Sequence, residues 1–314
     1  MHIFESEAYR LLLKMVFSRL IIFLFLMLPQ LLPAQESQFL KADGNLLHYR
    51  IFGTGEPLLI INGGPGMSSE GFVPLAKELS AGHQVIIYDQ RGTGLSKMPD
   101  INSSSMKMDL LVEDLESLRK HLGLEEWIVL GHSFGGMLAY AYAAQHPERV
   151  KAMIQSSSGG MDLSLLSNLD ISGALTETER DSLQFFSELI ANGDTSRTTL
   201  LKRAEFLAPP YVHDRKHIPV IAERLTQGNS LINSLLWNDM RRIGFDTKSQ
   251  LKTFQKPVLI LHGDSDVVSP ELSKQAHLLL RNSRLVILPK TGHYGWLDAK
   301  ELYFSSISEF LQAI

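Results

Sequence analysis

Gly131-His132-Ser133-Phe134-Gly135-Gly136 places a serine between glycines two residues away on either side. An apolar run, residues 127–130 (WIVL), precedes it and a stretch of small residues follows. This pattern predicts a sharp, strained strand-to-helix turn that exposes the Ser133 hydroxyl. At such a helix N-terminus the Phe134 N–H can donate to a developing oxyanion. The chemistry is acyl transfer through a covalent serine ester, which needs a base and a carboxylate beside the hydroxyl. Serine hydrolases built on this turn carry both later in the chain, acid before histidine. Two aspartates share one loop, His262-Gly263-Asp264-Ser265-Asp266, after the apolar run PVLIL. Either can be the acid, and the other can cap the loop by accepting from backbone N–H groups. Of the 11 histidines, only His277 and His293 come after that loop. His277 falls inside a predicted helix. His293 falls in Pro289-Lys290-Thr291-Gly292-His293, just past the last apolar run, so it is the predicted base. Upstream, Asn62-Gly63-Gly64-Pro65-Gly66 follows another apolar run. Its glycines let the main chain turn N–H groups toward a substrate oxygen, or simply make a turn after a strand.

These groups need a frame. Strands are predicted at residues 46–52, 58–61, 84–88, 127–130, 150–154, 257–261 and 285–288. Helices are predicted at 71–79, 106–122, 134–146, 271–280 and 299–311. In the second helix Leu110, Leu111, Leu115, Leu118 and Leu122 recur at three- and four-residue spacing, the mark of an amphipathic helix, and Gly123 ends it. Continuous apolar strands alternating with helices predict an α/β fold, a mostly parallel central sheet with helices on both faces. The rhythm breaks over residues 161–250, which read as helical and mixed in charge. One core domain, 35–160 with 251–314, is therefore expected to carry a helical insertion.

The formal net charge is −4 with no long basic run, so nucleic acid is not an expected partner. The chain has no cysteine, which excludes disulfides, thiolate metal sites, a cysteine nucleophile and a lipid-anchored cysteine. No metal or organic cofactor is called for by the serine chemistry. Residues 20–28 (LIIFLFLML) form an unbroken apolar run behind Lys14 and Arg19, with Pro29, Pro33 and Ala34 after it. This is the layout of a secretory signal covering residues 1–34, and the run is short for a membrane span of about 20 residues. Export is expected, with cleavage after Ala34 and a start at Met15 as the version that gives a conventional signal. Uncleaved, the segment would be the chain's only membrane attachment.

NGGPG, Tyr88–Ser96 (YDQRGTGLS), GHSFGG, HGDSD and TGH together resemble the prolyl aminopeptidase (proline iminopeptidase) family of α/β-hydrolases. The resemblance runs from about Leu46 to the C-terminus and is faint through the insertion. It implies the α/β-hydrolase fold, with the insertion as a cap over the active site. It implies Gly64 and Phe134 as the oxyanion N–H pair. The family's G-x-x-D pattern falls on Gly263 and Asp266, which favours Asp266 over Asp264 and makes the triad Ser133, Asp266 and His293. Asp89, Gln90 and Arg91 are implied to organise loops beside the site. The implied substrate is a small peptide cleaved at its N-terminal residue, with an ester or other small acyl compound on the same machinery as the alternative. A non-catalytic binding protein on this scaffold would carry a degraded triad. Two departures stand out. Asn62 replaces the family's usual histidine, though its amide can still bond the loop backbone. No cap glutamate for holding a substrate amine aligns clearly. Glu205, Glu223 and Asp239 are candidates only because they are acidic and lie in the insertion. Trp237 can line an apolar pocket or belong to the cap's own core.

Overall fold

Alternate residues of the central strands serve opposite faces of one sheet. The computed structural model describes residues 37–164, 169 and 171–314. The expected signal segment, 1–34, lies outside the described residues. Strands β1 (Gln38–Ala42), β2 (Asn45–Phe52), β3 (Glu56–Ile61), β4 (His83–Tyr88), β5 (Trp127–His132), β6 (Val150–Ser156), β7 (Val258–Gly263) and β8 (Ser283–Leu288) build an eight-stranded sheet in the order β1-β2-β4-β3-β5-β6-β7-β8. β1–β2 and β2–β4 pair antiparallel, and every other neighbour pair is parallel.

In β3, Leu59 and Ile61 face one buried cluster while Leu58 and Ile60 face the other. Burial on both faces is why these strands read as continuous apolar runs rather than alternating ones. One cluster is covered by α2 (Met108–His121) and α3 (Phe134–Gln145), the other by α1 (Val73–Leu79) and, at the C-terminus, α11 (Lys300–Gln312). The chain that becomes α2 buries Leu111, Leu115 and Leu118, the middle of the predicted stripe.

β1 was not expected from the sequence. It is a short edge strand with exposed Gln38, Phe39 and Lys41, so its apolar signal is weak. What holds it is the tight Asp43-Gly44 turn, both residues at positive φ (46° and 78°), which matches the twist of a two-residue hairpin.

Between β6 and β7 the chain forms α4 (Glu177–Ala191), α5 (Arg197–Leu207), α6 (Ile218–Leu225), α7 (Ser230–Ile243) and the single-turn α8 (Lys248–Leu251). A Thr176–Glu179 capping box starts α4, Ser196 caps α5 and Asn229 caps α7. The two ends of this segment are pinned to each other. Thr247 donates its N–H (2.9 Å) and hydroxyl (3.0 Å) to the Met161 carbonyl, and Lys248 binds Asp162 and Asp246. A helical insertion can leave and re-enter the sheet there without disturbing strand register. After β7 come α9 (Pro270–Leu279), then β8, the single-turn α10 (Gly295–Asp298) and α11.

Candidate active site

Ser133 sits between the end of β5 and the first residue of α3 at φ 56°, ψ −121°. This left-handed conformation is strained for a residue with a side chain, and it persists because its surroundings over-determine it. The Ser133 N–H donates to the Ser156 carbonyl (3.1 Å), and the Ser133 carbonyl accepts from Gly136 (2.9 Å) and Gly159 (3.0 Å). Glycine is required on both sides of the turn. A Cβ on Gly131 would stand 2.5 Å from the Gly135 carbonyl oxygen, and one on Gly135 would stand 2.1 Å from that of Ile61.

His293 reaches the same cavity from the loop after β8. Its Nδ1 lies 2.8 Å from Asp266 Oδ1, and the Asp266 side chain is fully buried. Burial alone would push the Asp266 carboxyl up. The interaction with His293, together with His262 and the Val268 N–H, outweighs it and holds the carboxyl below its ordinary value. An ionised carboxylate only accepts, so Nδ1 carries the proton and Nε2 is left as the acceptor. Asp264 behaves differently. Its Oδ1 accepts from the Ser265 hydroxyl (2.8 Å) and the Thr291 N–H (3.2 Å), so it ties the two loops rather than the imidazole. Gly263 lets those loops meet, since a Cβ there would fall 2.2 Å from the Thr291 carbonyl oxygen.

Further groups hold these loops, and sequence reasoning missed them. Asp298 accepts from the N–H groups of Gly292 (2.9 Å), His213 (2.8 Å) and Asp214 (3.0 Å). The His293 N–H donates to the Tyr211 carbonyl (2.8 Å). His262, on β7, keeps its Nε2 2.8 Å from the Val268 carbonyl and 3.4 Å from Asp266 Oδ2. Asp298 is one acidic residue of many in the text, and backbone acceptors leave no sequence signal at all.

The glycine loop after β3 closes over the serine. Gly64 has φ +71°, and a Cβ on Gly63 would stand 2.6 Å from Ser133 Cβ. Asn62 Nδ2 donates to the carbonyls of Gly63 (3.2 Å) and Met67 (3.0 Å), so the residue that departs from the family pattern still braces the loop. Gln90 Nε2 donates to the Asn62 carbonyl (2.8 Å), and Asp89 accepts from the Ser69 N–H and hydroxyl (2.8 Å each). Arg91 forms two 2.7 Å bonds to buried Asp114 on α2. Neither the Gly64 nor the Phe134 N–H meets an acceptor among the described residues.

A cavity of about 310 Å³ lies at this junction. Gly63, Gly64, Ser133, Phe134 and His293 line it, and Met67, Leu169, Ile171, Leu225, Trp237 and Val267 make its walls mainly apolar. Trp237 is thus at the cavity, its ring centroid 6.1 Å from that of Phe134. The three acidic candidates are elsewhere. Glu205 pairs with Lys202 (2.7 Å) and Glu223 with Arg197 (2.9 Å), both partly or well exposed. Asp239 is buried, accepts from the Met108 N–H at the start of α2 (2.9 Å), and pairs with Arg242. It secures α7 to the core instead of facing substrate. No carboxylate lines the cavity among the described residues, whereas Arg224, which the sequence did not single out, does.

A family model described as alpha/beta hydrolase fold matches residues 56–300. The chain belongs to the α/β-hydrolase family. This hydrolase is 30% identical over 288 residues to the proline iminopeptidase of Heyndrickxia coagulans, covering 88% of this chain and 98% of the relative. The expected kinship with that branch therefore holds. Solved structures agree on the fold. An alpha/beta fold family hydrolase from Bacillus anthracis str. Sterne superposes with a TM-score of 0.73 at 18% identity, covering 88% of this chain and 99% of that one. A thermophilic esterase from Thermogutta terrifontis gives 0.67 at 22% identity, covering 89% and 98%.

The hydrolase should lose stability in mild acid. Burial, aided by the nearby Arg224 charge, pushes His132 well below its ordinary value of 6.5, and burial also lowers His262. A histidine with a depressed folded pKa takes up its proton on unfolding. The stability it contributes is complete above about pH 6.5 and drains away as pH falls toward the folded value. Thermal unfolding followed by circular dichroism is expected to show a lower Tm at pH 5.5 than at pH 7.5. Equal values would mean that neither histidine is held neutral.

Proposed function

We propose that this hydrolase is a serine enzyme working through an acyl-enzyme on a small acyl substrate. The observation that carries the reading is one cavity bordered by the strained Ser133, the Asp266-bound His293 and the free N–H groups of Gly64 and Phe134. His293 Nε2 takes the Ser133 proton as the oxygen attacks the carbonyl carbon. The carbonyl oxygen gains its charge facing the Gly64 and Phe134 N–H groups. His293 then protonates the leaving group, and water repeats the sequence to release the acid. A fluorophosphonate probe should label the wild-type protein and leave Ser133→Ala unlabelled. A folded wild type that stays unlabelled would sink the reading.

Two substrate readings each have an observation behind them. Similarity to proline iminopeptidases favours an N-terminal proline amide. The lack of a carboxylate among the described lining residues favours a substrate without a free amine, such as an ester. Asp170, which falls between the lining residues Leu169 and Ile171 in the chain, lies outside the described residues and is the acid to vary first. Turnover of proline β-naphthylamide, alanine β-naphthylamide and p-nitrophenyl acetate separates the readings. Proline-amide turnover that falls in Asp170→Asn establishes the peptidase, and turnover of the ester alone removes it.

A further inference from the structure

Every carbonyl of the loop from Asn62 to Met67 has a donor. Asn62 is taken by Gln90 Nε2 (2.8 Å), Gly64 by the Met67 N–H (3.0 Å), and Met67 by Asn62 Nδ2 (3.0 Å). The other three have a donor from the insertion, and Gly63 accepts from Asn62 Nδ2 as well (3.2 Å). The Asn229 N–H donates to Gly66 (3.0 Å), Asn233 Nδ2 to Pro65 (3.3 Å), and Arg224 Nη2 to Gly63 (2.7 Å). The Arg224 bond is the shortest of these and the only one carried by a formal charge, which makes it the strongest.

Arg224 is placed for this contact. It is 4% exposed, its guanidinium sits 4.6 Å above the Phe72 ring, and no carboxylate pairs with it among the described residues. Gly71 leaves it room, since a Cβ there would stand 2.9 Å from Arg224 Nη1. The peptide joining Gly63 to Gly64 is planar and trans, so its C=O and N–H point in opposite directions. A cation that holds the Gly63 carbonyl on the insertion side aims the Gly64 N–H the opposite way. It also polarises the peptide and makes that N–H a stronger donor.

We infer that Arg224 is a positioning residue that orients the Gly63–Gly64 peptide, so that the oxyanion donor is aligned from the helical insertion and not by the sheet alone. This rests on the proposed role of Ser133, and the test separates the two. Arg224→Met keeps the apolar stem and loses the donor, and Arg224→Lys keeps a charge without the fork. Both are measured on p-nitrophenyl acetate, with the fluorophosphonate labelling rate and Tm alongside. Removing an oxyanion donor outright costs about 10²–10³ in kcat, and misaimed donation should cost less, about 10- to 100-fold in Arg224→Met. KM should stay within about threefold, since ground-state binding does not use the hole. Labelling should slow by a similar factor, because phosphonylation also builds charge on an oxygen facing Gly64. Arg224→Lys should recover part of kcat, and should still show the deficit at wild-type Tm if the methionine variant fails to fold.

Unchanged kcat in both variants would overturn the inference. So would a change confined to KM and seen only with a negatively charged ester such as mono-p-nitrophenyl succinate, which would make Arg224 an anion-binding group. Failure of wild type to label at all is a different result, and it would remove the Ser133 reading first.

Discussion

Alanine at position 293 is expected to lower turnover by about three to six orders of magnitude with the fold intact. Among the described residues the imidazole is the only side chain lining the cavity that is bonded to a buried carboxylate, through the 2.8 Å contact to Asp266. Without it, nothing accepts the Ser133 proton during attack or returns it to the leaving group. Asp266→Asn should cost nearly as much, about 10⁴, because a carboxamide can donate to Nδ1 and so favour the wrong tautomer. Asp264→Asn is the internal comparison. Its carboxylate braces Ser265 and Thr291 and makes no bond to the imidazole, so most activity should survive. Steady-state turnover on p-nitrophenyl acetate, with circular dichroism to confirm folding, checks all three. A loss of under about tenfold in His293→Ala would mean that another group is the base, and equal losses at positions 264 and 266 would remove the assignment of the acid.

Gly135→Ala should be among the most damaging glycine-to-alanine changes in the described residues. The new carbon would lie 2.1 Å from the Ile61 carbonyl oxygen and 2.7 Å from that of Asn62. Both are backbone, so neither can swing away like a side chain. Relief requires moving α3 off β3 or displacing the glycine loop from Ser133. Overpacking of well-filled cores costs about 1–3 kcal/mol and occasionally more, and this site belongs at or beyond the top of that range. Gly82→Ala serves as the reference, because a Cβ there meets nothing within 4 Å. Chemical denaturation should show Gly82→Ala near wild type and Gly135→Ala strongly destabilised or insoluble. A wild-type midpoint in Gly135→Ala would mean that the elbow is not closed against the β3 loop as described.

The sheet was legible for a simple reason. Strands buried on both faces are apolar throughout, so β3, β4, β5, β6 and β7 stand out against polar helices and loops. β1 escaped because an exposed edge strand needs few apolar residues, and the Asp43-Gly44 pair was the signal that would have revealed it. The insertion was legible as helices and as a break in rhythm. The role of each residue in it was not. Glu205, Glu223 and Asp239 look alike in the text, yet two pair with neighbouring cations at the surface and one is buried as a cap for α2. Acidity is a local property, whereas facing a cavity depends on how a helix is rotated against a partner far away in the chain.

From the sequence alone came the serine turn, the histidine by its place after the last strand, the glycine loop, and the alternation that makes an α/β sheet. Each is written in a few consecutive residues, because backbone turns and strand burial constrain the residue types at those positions directly. The choice between the two aspartates came from the family resemblance, which favoured Asp266, and the structure shows that carboxylate on His293. Only the tertiary structure decided that Trp237 borders the cavity while the three acids do not, and that Arg224 holds the Gly63 carbonyl. That last contact joins residues 161 apart in sequence. A hydrogen bond across such a distance depends on two elements docking at one angle and depth, and no residue near either end needs to change to announce it.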